Sequence, residues 1–210
     1  MKRLLVLASV AAIALLDMSC TSPSGPIHPM TIGNVWNMSV STLHGPAIAT
    51  LDTVSTATIT RTALQKANLS NGQEVVEFRD DTTTHTRTPD TTISTTGYFY
   101  MAEVGDTIKS YTSLDDTTGT STLMSNPAAG QTWTEGTTTA TVVGQEDVTV
   151  TAGTYRRAWK VKLSVSHGSL AFDIYEWYAR GTGMVKVYYD ASYGGSERVF
   201  DEELTSATIK

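Results

Sequence analysis

Residues 146–163, EDVTVTAGTYRRAWKVKL, decide the fold class. Successive side chains of a strand point to opposite sides, so Val148 and Val150 share one face and Thr149 and Thr151 the other. Ala152-Gly153 supplies a turn, since glycine takes backbone angles that a β-branched residue cannot. On the return, Tyr155, Trp159, Val161, Leu163 and Val165 fall on one face, and Arg156, Lys160, Lys162 and Ser164 on the other. This is an antiparallel hairpin with a dry and a wet side.

Downstream the same pattern repeats. A turn at 166–169 leads to a strand with Leu170, Phe172 and Ile174 on the dry face, Met184 to Tyr189 forms another strand, and Glu197 to Ile209 returns after Gly194-Gly195. Upstream, Asn34 to Leu43 and Ile48 to Thr62 predict strands; Ala63 to Leu69 is either one or two helical turns or, as the Asn71-Gly72 turn before Glu74 to Phe78 favours, a strand running into that turn. Residues 80–96, DDTTTHTRTPDTTISTT, are either exposed strand edges or a mobile loop. Tyr98 to Met101, Thr107 to Ser113 and Gly119 to Met124 complete the set. Threonine makes up roughly one residue in six, and helix formers are sparse. The expectation is an all-β, mainly antiparallel meander forming a half-barrel or open barrel, with little or no helix apart from a signal peptide.

Lys2 and Arg3 precede a thirteen-residue run from Leu4 to Leu16 that is apolar except for Ser9, and then Asp17-Met18-Ser19-Cys20. At ~1.5 Å per residue that run makes about 20 Å of helix, short of a ~30 Å hydrocarbon core, which fits a secretory signal better than a membrane span. Cys20 is the only cysteine, so no intramolecular disulfide forms. Its setting resembles a bacterial lipobox, with Asp17 where leucine is usual, and implies lipidation at Cys20 and, with Thr21 following, the outer membrane of the cell envelope. The expected organisation is a signal peptide over 1–19, a flexible Pro/Ser/Gly tether over 20–30, and one antiparallel β domain over 31–210. Loss of Lys2, Arg3 and Asp17 takes the formal charge from −6 to −7 and disfavours nucleic acid as a partner.

Two stretches look alike, Pro29 to Trp36 and Pro127 to Trp133, through an internal duplication or through chance similarity of two strand starts. Three motif groups follow in order: Gly130-x-x-Trp133; Gly144-Gln145-Glu146-Asp147-Val148-Thr149-Val150-x-Ala152-Gly153-Thr154-Tyr155; and Trp177-Tyr178-Ala179-x-Gly181-x-Gly183-x-Val185-Lys186. Together they resemble a widespread set of uncharacterised bacterial lipoproteins with a TapB-like domain of unknown function, over about the last hundred residues. Gly33-x-x-Trp36 matches the usual start of such chains. The resemblance implies a half-barrel similar to lipoprotein-carrier folds, with no catalytic residues to carry over.

Chemistry-bearing patterns are few. The acidic pairs Asp80-Asp81, Asp115-Asp116, Glu146-Asp147 and Glu202-Glu203 are adjacent, so each pair splits across a strand. The four histidines are scattered, no zinc-type spacing occurs, and no nucleophile elbow exists, so neither an enzyme, a metal site nor a cofactor is expected. One feature stands out. Tyr175 and Trp177 lie opposite the dry face of their strand, and Tyr188, Tyr189 and Tyr193 put aromatics on both faces nearby. A second apolar face needs a cover. Self-coverage by the N-terminal half is one solution. The other is an aromatic surface, Tyr175, Trp177, Tyr188 and Tyr189, binding an apolar or glycan ligand. The expected partners are the membrane through its lipid anchor and an envelope protein, lipid or glycan. The alternative is a structural or accessory interaction protein without a small-molecule ligand.

Overall fold

In a computed structural model the described residues are 24–167, 170–193 and 196–210, so the signal segment and Cys20 lie outside them. Twelve strands form a single sheet: β1 (Val35–Gly45), β2 (Asp52–Asn68), β3 (Glu74–Arg87), β4 (Asp90–Val104), β5 (Thr107–Tyr111), β6 (Thr120–Met124), β7 (Thr132–Glu135), β8 (Thr138–Val150), β9 (Gly153–His167), β10 (Leu170–Ala179), β11 (Gly183–Tyr193) and β12 (Ser196–Thr208). Their order is β6-β5-β4-β3-β2-β1-β12-β11-β10-β9-β8-β7 and every pairing is antiparallel. Two meanders therefore meet where the first strand pairs with the last, and the sheet curls into a nearly closed barrel. The all-β expectation holds.

Side chains join the free edges. The Trp133 indole N–H on β7 donates to the Ser121 carbonyl on β6 at 3.0 Å, and the Ser121 amide donates to Glu135 at 3.1 Å. Elsewhere the edge stays open. β5 pairs with β4 only over Tyr100–Val104, so no described strand pairs with the outer edge of β4 from Asp90 to Phe99.

Each meander starts with the same device. Gly33 and Gly130 adopt φ of 84° and 83°. The Gly33 amide donates to the Ala63 carbonyl and the Ala63 amide to Asn34, and the Gly130 amide donates to Val142 and the Val142 amide to Gln131. Trp36, like Trp133, then donates its indole N–H to a distant carbonyl, that of Thr182, at 2.6 Å. The likeness between these segments is therefore structural as well as sequential.

Several local expectations are corrected. Residues 48–50 form a 3₁₀ turn and the strand starts at Asp52. Of the two alternatives for residues 80–96 the exposed strand holds and the mobile loop does not: they lie in the paired β3–β4 hairpin, because threonine suits an extended backbone even without burial. Ile27, His28 and Pro29, assigned to the tether by composition, are buried at one end of the barrel. Ile27 has apolar surface to lose, and the Gly181 amide fixes the segment by donating to the Pro26 carbonyl at 2.8 Å. The opening hairpin also departs from simple alternation. Register shifts fall at Val142/Gly144 and Glu146/Val148, and Arg157 takes φ of 55° with its amide bonded to Asp147. These bends carry the tip across to β12, where the Ala152 amide donates to Leu204 at 3.0 Å.

Candidate functional site

Residues directly opposite in antiparallel strands share a face, so the registers define the barrel interior. One row runs Leu163, Ile174, Tyr189, Phe200 and Thr42 across β9, β10, β11, β12 and β1. The next runs Val161, Glu176, Val187, Glu202, Val40 and Ala57. Deeper on the same faces, Trp36, Met38, Tyr178 and Leu204 are buried. The upper row is different. Phe172, Ile174, Tyr189 and Phe200 remain half-exposed. Tyr189 stacks on Phe200 at 5.2 Å and 7°, and Phe172 meets Tyr189 at 5.5 Å. With Val40 and Val187 they make an open, concave apolar face.

A belt of ionisable groups borders and underlies that face, Glu176 and Glu202 standing in the same row as Val187 and Val40. Arg61 on β2 grips Asp80 on β3 through two hydrogen bonds, 2.9 and 2.7 Å, with its guanidinium 4.9 Å from the centre of the Phe99 ring. Burial works against the Arg61 charge, and the hydrogen bonds and charge of Asp80 outweigh it and raise its pKa. The Tyr178 hydroxyl donates to Glu176 at 2.7 Å. Burial, followed by the neighbouring Glu176 charge, pushes the Tyr178 hydroxyl up. Burial is also the largest influence on Glu176, raised to about 7, and on Glu202, raised against the pull of Arg61.

A cavity of about 350 Å³ adjoins the belt, lined by Phe99, Met101, Ile108, Leu123 and Met184 with Arg61, Asp80, Tyr178 and His28 among its polar members. His28 stacks parallel to Trp36 at 6.0 Å, and burial, followed by the Arg61 charge, lowers its pKa to about 4.

These shifts oppose each other. Between pH 4.5 and 7 folded Glu176 holds a proton that the unfolded chain releases, so its contribution to stability falls as pH rises. Between pH 4 and 6.5 unfolded His28 is protonated and folded His28 is not, so its contribution rises. Each is worth at most about 3 kcal/mol, less for Glu176 because it keeps partial exposure. The rise from His28 therefore offsets part of the fall from Glu176 over pH 4.5–6.5, and Glu202, raised as well, adds to the fall in the wild type. Glu176→Gln should uncover a rise with pH and His28→Leu a fall, read from urea midpoints across that range. Parallel profiles for the three proteins would contradict these assignments.

The aromatic residues picked out in the sequence divide between two faces. Tyr189 belongs to the concave row. Tyr175 pairs with Tyr188 and Trp177 with Lys186 on the outside of the sheet. Trp177 is only 7% exposed, its indole N–H donating to Glu146 at 2.7 Å. Lys160 bridges to Glu146 at 3.2 Å and lies 5.0 and 4.9 Å from the centres of the Tyr175 and Trp177 rings. The cover over Trp177 comes from β8 and β9, not from the N-terminal half, because Lys160 lies directly across from Trp177 in the register. Tyr193 has no described side chain. Among the described residues no group of three His, Cys, Asp or Glu could hold a metal ion.

Asp80 and Glu202 stand in the sequence only as members of acidic pairs, yet the belt leaves a mark there. Ile59-x-Arg61-x-Ala63, Ile174-x-Glu176-x-Tyr178 and Phe200-x-Glu202-x-Leu204 each place one ionisable residue in the middle of an apolar face.

No protein-family model matches the sequence, and no curated protein matches it. Among solved structures, the chain is similar to a protein from Parabacteroides distasonis described as a lipoprotein, with 13% identity and a TM-score of 0.45 over 88% of this chain and 99% of the other. It is also similar to a protein from Bacteroides fragilis described as exported, with a YmcC-like fold, at 13% identity and a TM-score of 0.42 over 88% of this chain and 100% of the other.

Proposed function

We propose that this is a lipid-anchored protein of the bacterial envelope, held at the outer membrane through Cys20, that binds an apolar molecule on the concave face of its barrel and performs no catalysis. The observation that carries the reading is the stacked and half-exposed group Phe172, Tyr189 and Phe200. Core-forming side chains left partly wet inside a curved sheet lose apolar stabilisation that an apolar ligand restores. The concave face is favoured over the outer aromatics, and an apolar ligand over a glycan, because Trp177 is covered and its N–H is already bonded. The lipobox-like segment and the TapB-like motifs support the envelope assignment.

Titration calorimetry with 1-decanol tests it. Binding is expected, and Phe200→Asp should weaken it roughly 10- to 100-fold, matching the ~1.5–3 kcal/mol of a buried aromatic. Unchanged affinity in a variant with a native circular-dichroism spectrum would remove the concave face from the account. An accessory interaction protein is the second reading, favoured by the open edge of β4 over Asp90–Phe99, which offers backbone groups to an added strand.

A further inference from the structure

His28 is 6% exposed, and neither Nδ1 nor Nε2 has a hydrogen-bond partner in the protein. Buried polar groups in folded proteins are almost always partnered, because leaving one unpaired forfeits its hydration without return. The ring lines the roughly 350 Å³ cavity together with Arg61, Asp80 and Tyr178, and the remaining wall is mostly apolar. That volume is more than twice the ~150 Å³ that accommodates benzene in an engineered cavity.

The polar groups define what fits. Arg61 is matched by Asp80, so a cationic head meets the guanidinium and an anionic head meets the Asp80 carboxylate. An uncharged imidazole offers one donor and one acceptor, which a hydroxyl group satisfies reciprocally. The Tyr178 hydroxyl gives its proton to Glu176, so its oxygen can act toward a ligand only as an acceptor. We propose that this cavity is a second binding site, separate from the concave face, for a compact, uncharged alicyclic or aromatic molecule whose hydroxyl group bonds to His28. The low pKa of His28 keeps the ring uncharged at neutral pH, in agreement with the geometry.

The test uses one ring skeleton with four heads, namely 2-indanol, 2-aminoindane, indane-2-carboxylate and indane, titrated at pH 7 while the His28 imidazole resonances are followed by NMR. The expected order has 2-indanol at least tenfold tighter than the charged analogues and roughly five- to tenfold tighter than indane, with the His28 resonances shifting on 2-indanol binding. His28→Leu should erase the preference for 2-indanol over indane while leaving the melting temperature equal or higher, because the unpartnered nitrogens are gone. His28→Gln, which keeps a donor and an acceptor, should retain part of the preference. Phe200→Asp should leave all four affinities unchanged, which separates this site from the concave face. The proposal is overturned if no compound shifts His28, if a charged analogue binds as well as the alcohol, or if His28→Leu keeps the discrimination. Should His28→Leu not fold, the wild-type series and His28→Gln decide alone.

Discussion

Arg61→Met lowers the stability of the fold by about 3 kcal/mol, at the lower end of the range for breaking a buried ion pair because both side chains keep roughly a fifth of their surface. The loss comes less from missing attraction than from what stays behind. Asp80 keeps its charge inside the barrel without the two hydrogen bonds that stabilised it, and Glu202 loses the one positive neighbour that offsets its burial. Two consequences distinguish this from a packing defect. Arg61→Met/Asp80→Leu should recover most of the loss, since replacing both partners with apolar groups removes the orphaned charge. The single variant should also be less destabilised at pH 5 than at pH 8, because burial raises the pKa of Glu202 and its carboxyl is more fully ionised at the higher pH. Chemical denaturation of the three proteins at both pH values measures each term. Equal and additive losses would show that Arg61 contributes only its hydrocarbon stem.

Phe78→Ala should cost about 3–5 kcal/mol and lower the melting temperature by roughly 10 °C. Phe78 is fully buried, and three rings converge on it: Phe99 at 5.2 Å, Trp36 at 6.0 Å and His28 at 6.1 Å. It ties β3 to β4, to β1 and to the segment that stops the end of the barrel. Truncation leaves a void that a sheet locked on both sides by pairing cannot collapse to fill. Phe78→Leu, which keeps most of the volume, should cost far less. Similar melting temperatures for the Ala and Leu variants would mean that the ring is not part of a tightly packed core.

Much of the architecture is legible in the chain because its strands obey the two-residue period and their turns use residues that the backbone requires. Asn71-Gly72 lies in the loop that joins β2 to β3, with Gly72 at φ of 88°, and Thr151-Ala152 joins β8 to β9, one residue before the expected turn, with Gly153 at 134° as the first residue of β9. The polar stretch 80–96 was ambiguous because an exposed hairpin rich in threonine has no dry face to betray its period. Closure of the barrel was not legible. It depends on β1 meeting β12 at the far end of the chain and on Trp133 and Glu135 reaching Ser121, contacts that leave no local pattern. The candidate site was hidden for a related reason. Arg61, Asp80, Glu176 and Glu202 resemble solvated residues until pairing shows that Arg61 lies across from Trp36 and Glu202 across from Val40 and Val187. Tyr175 and Trp177 misled in the opposite direction, since an exposed-looking aromatic strip can be covered by the lysine and glutamate of neighbouring strands.

The account rests on a concave interior that receives an apolar molecule, and the most direct measurement is a methyl and aromatic NMR titration of the processed protein with 1-decanol. The prediction is that resonances of Val40, Ile174, Val187, Tyr189 and Phe200 move together and saturate, while those of Tyr175 and Tyr188 on the outer face stay in place. Movement confined to the outer face, or no movement at saturating alcohol, would contradict it.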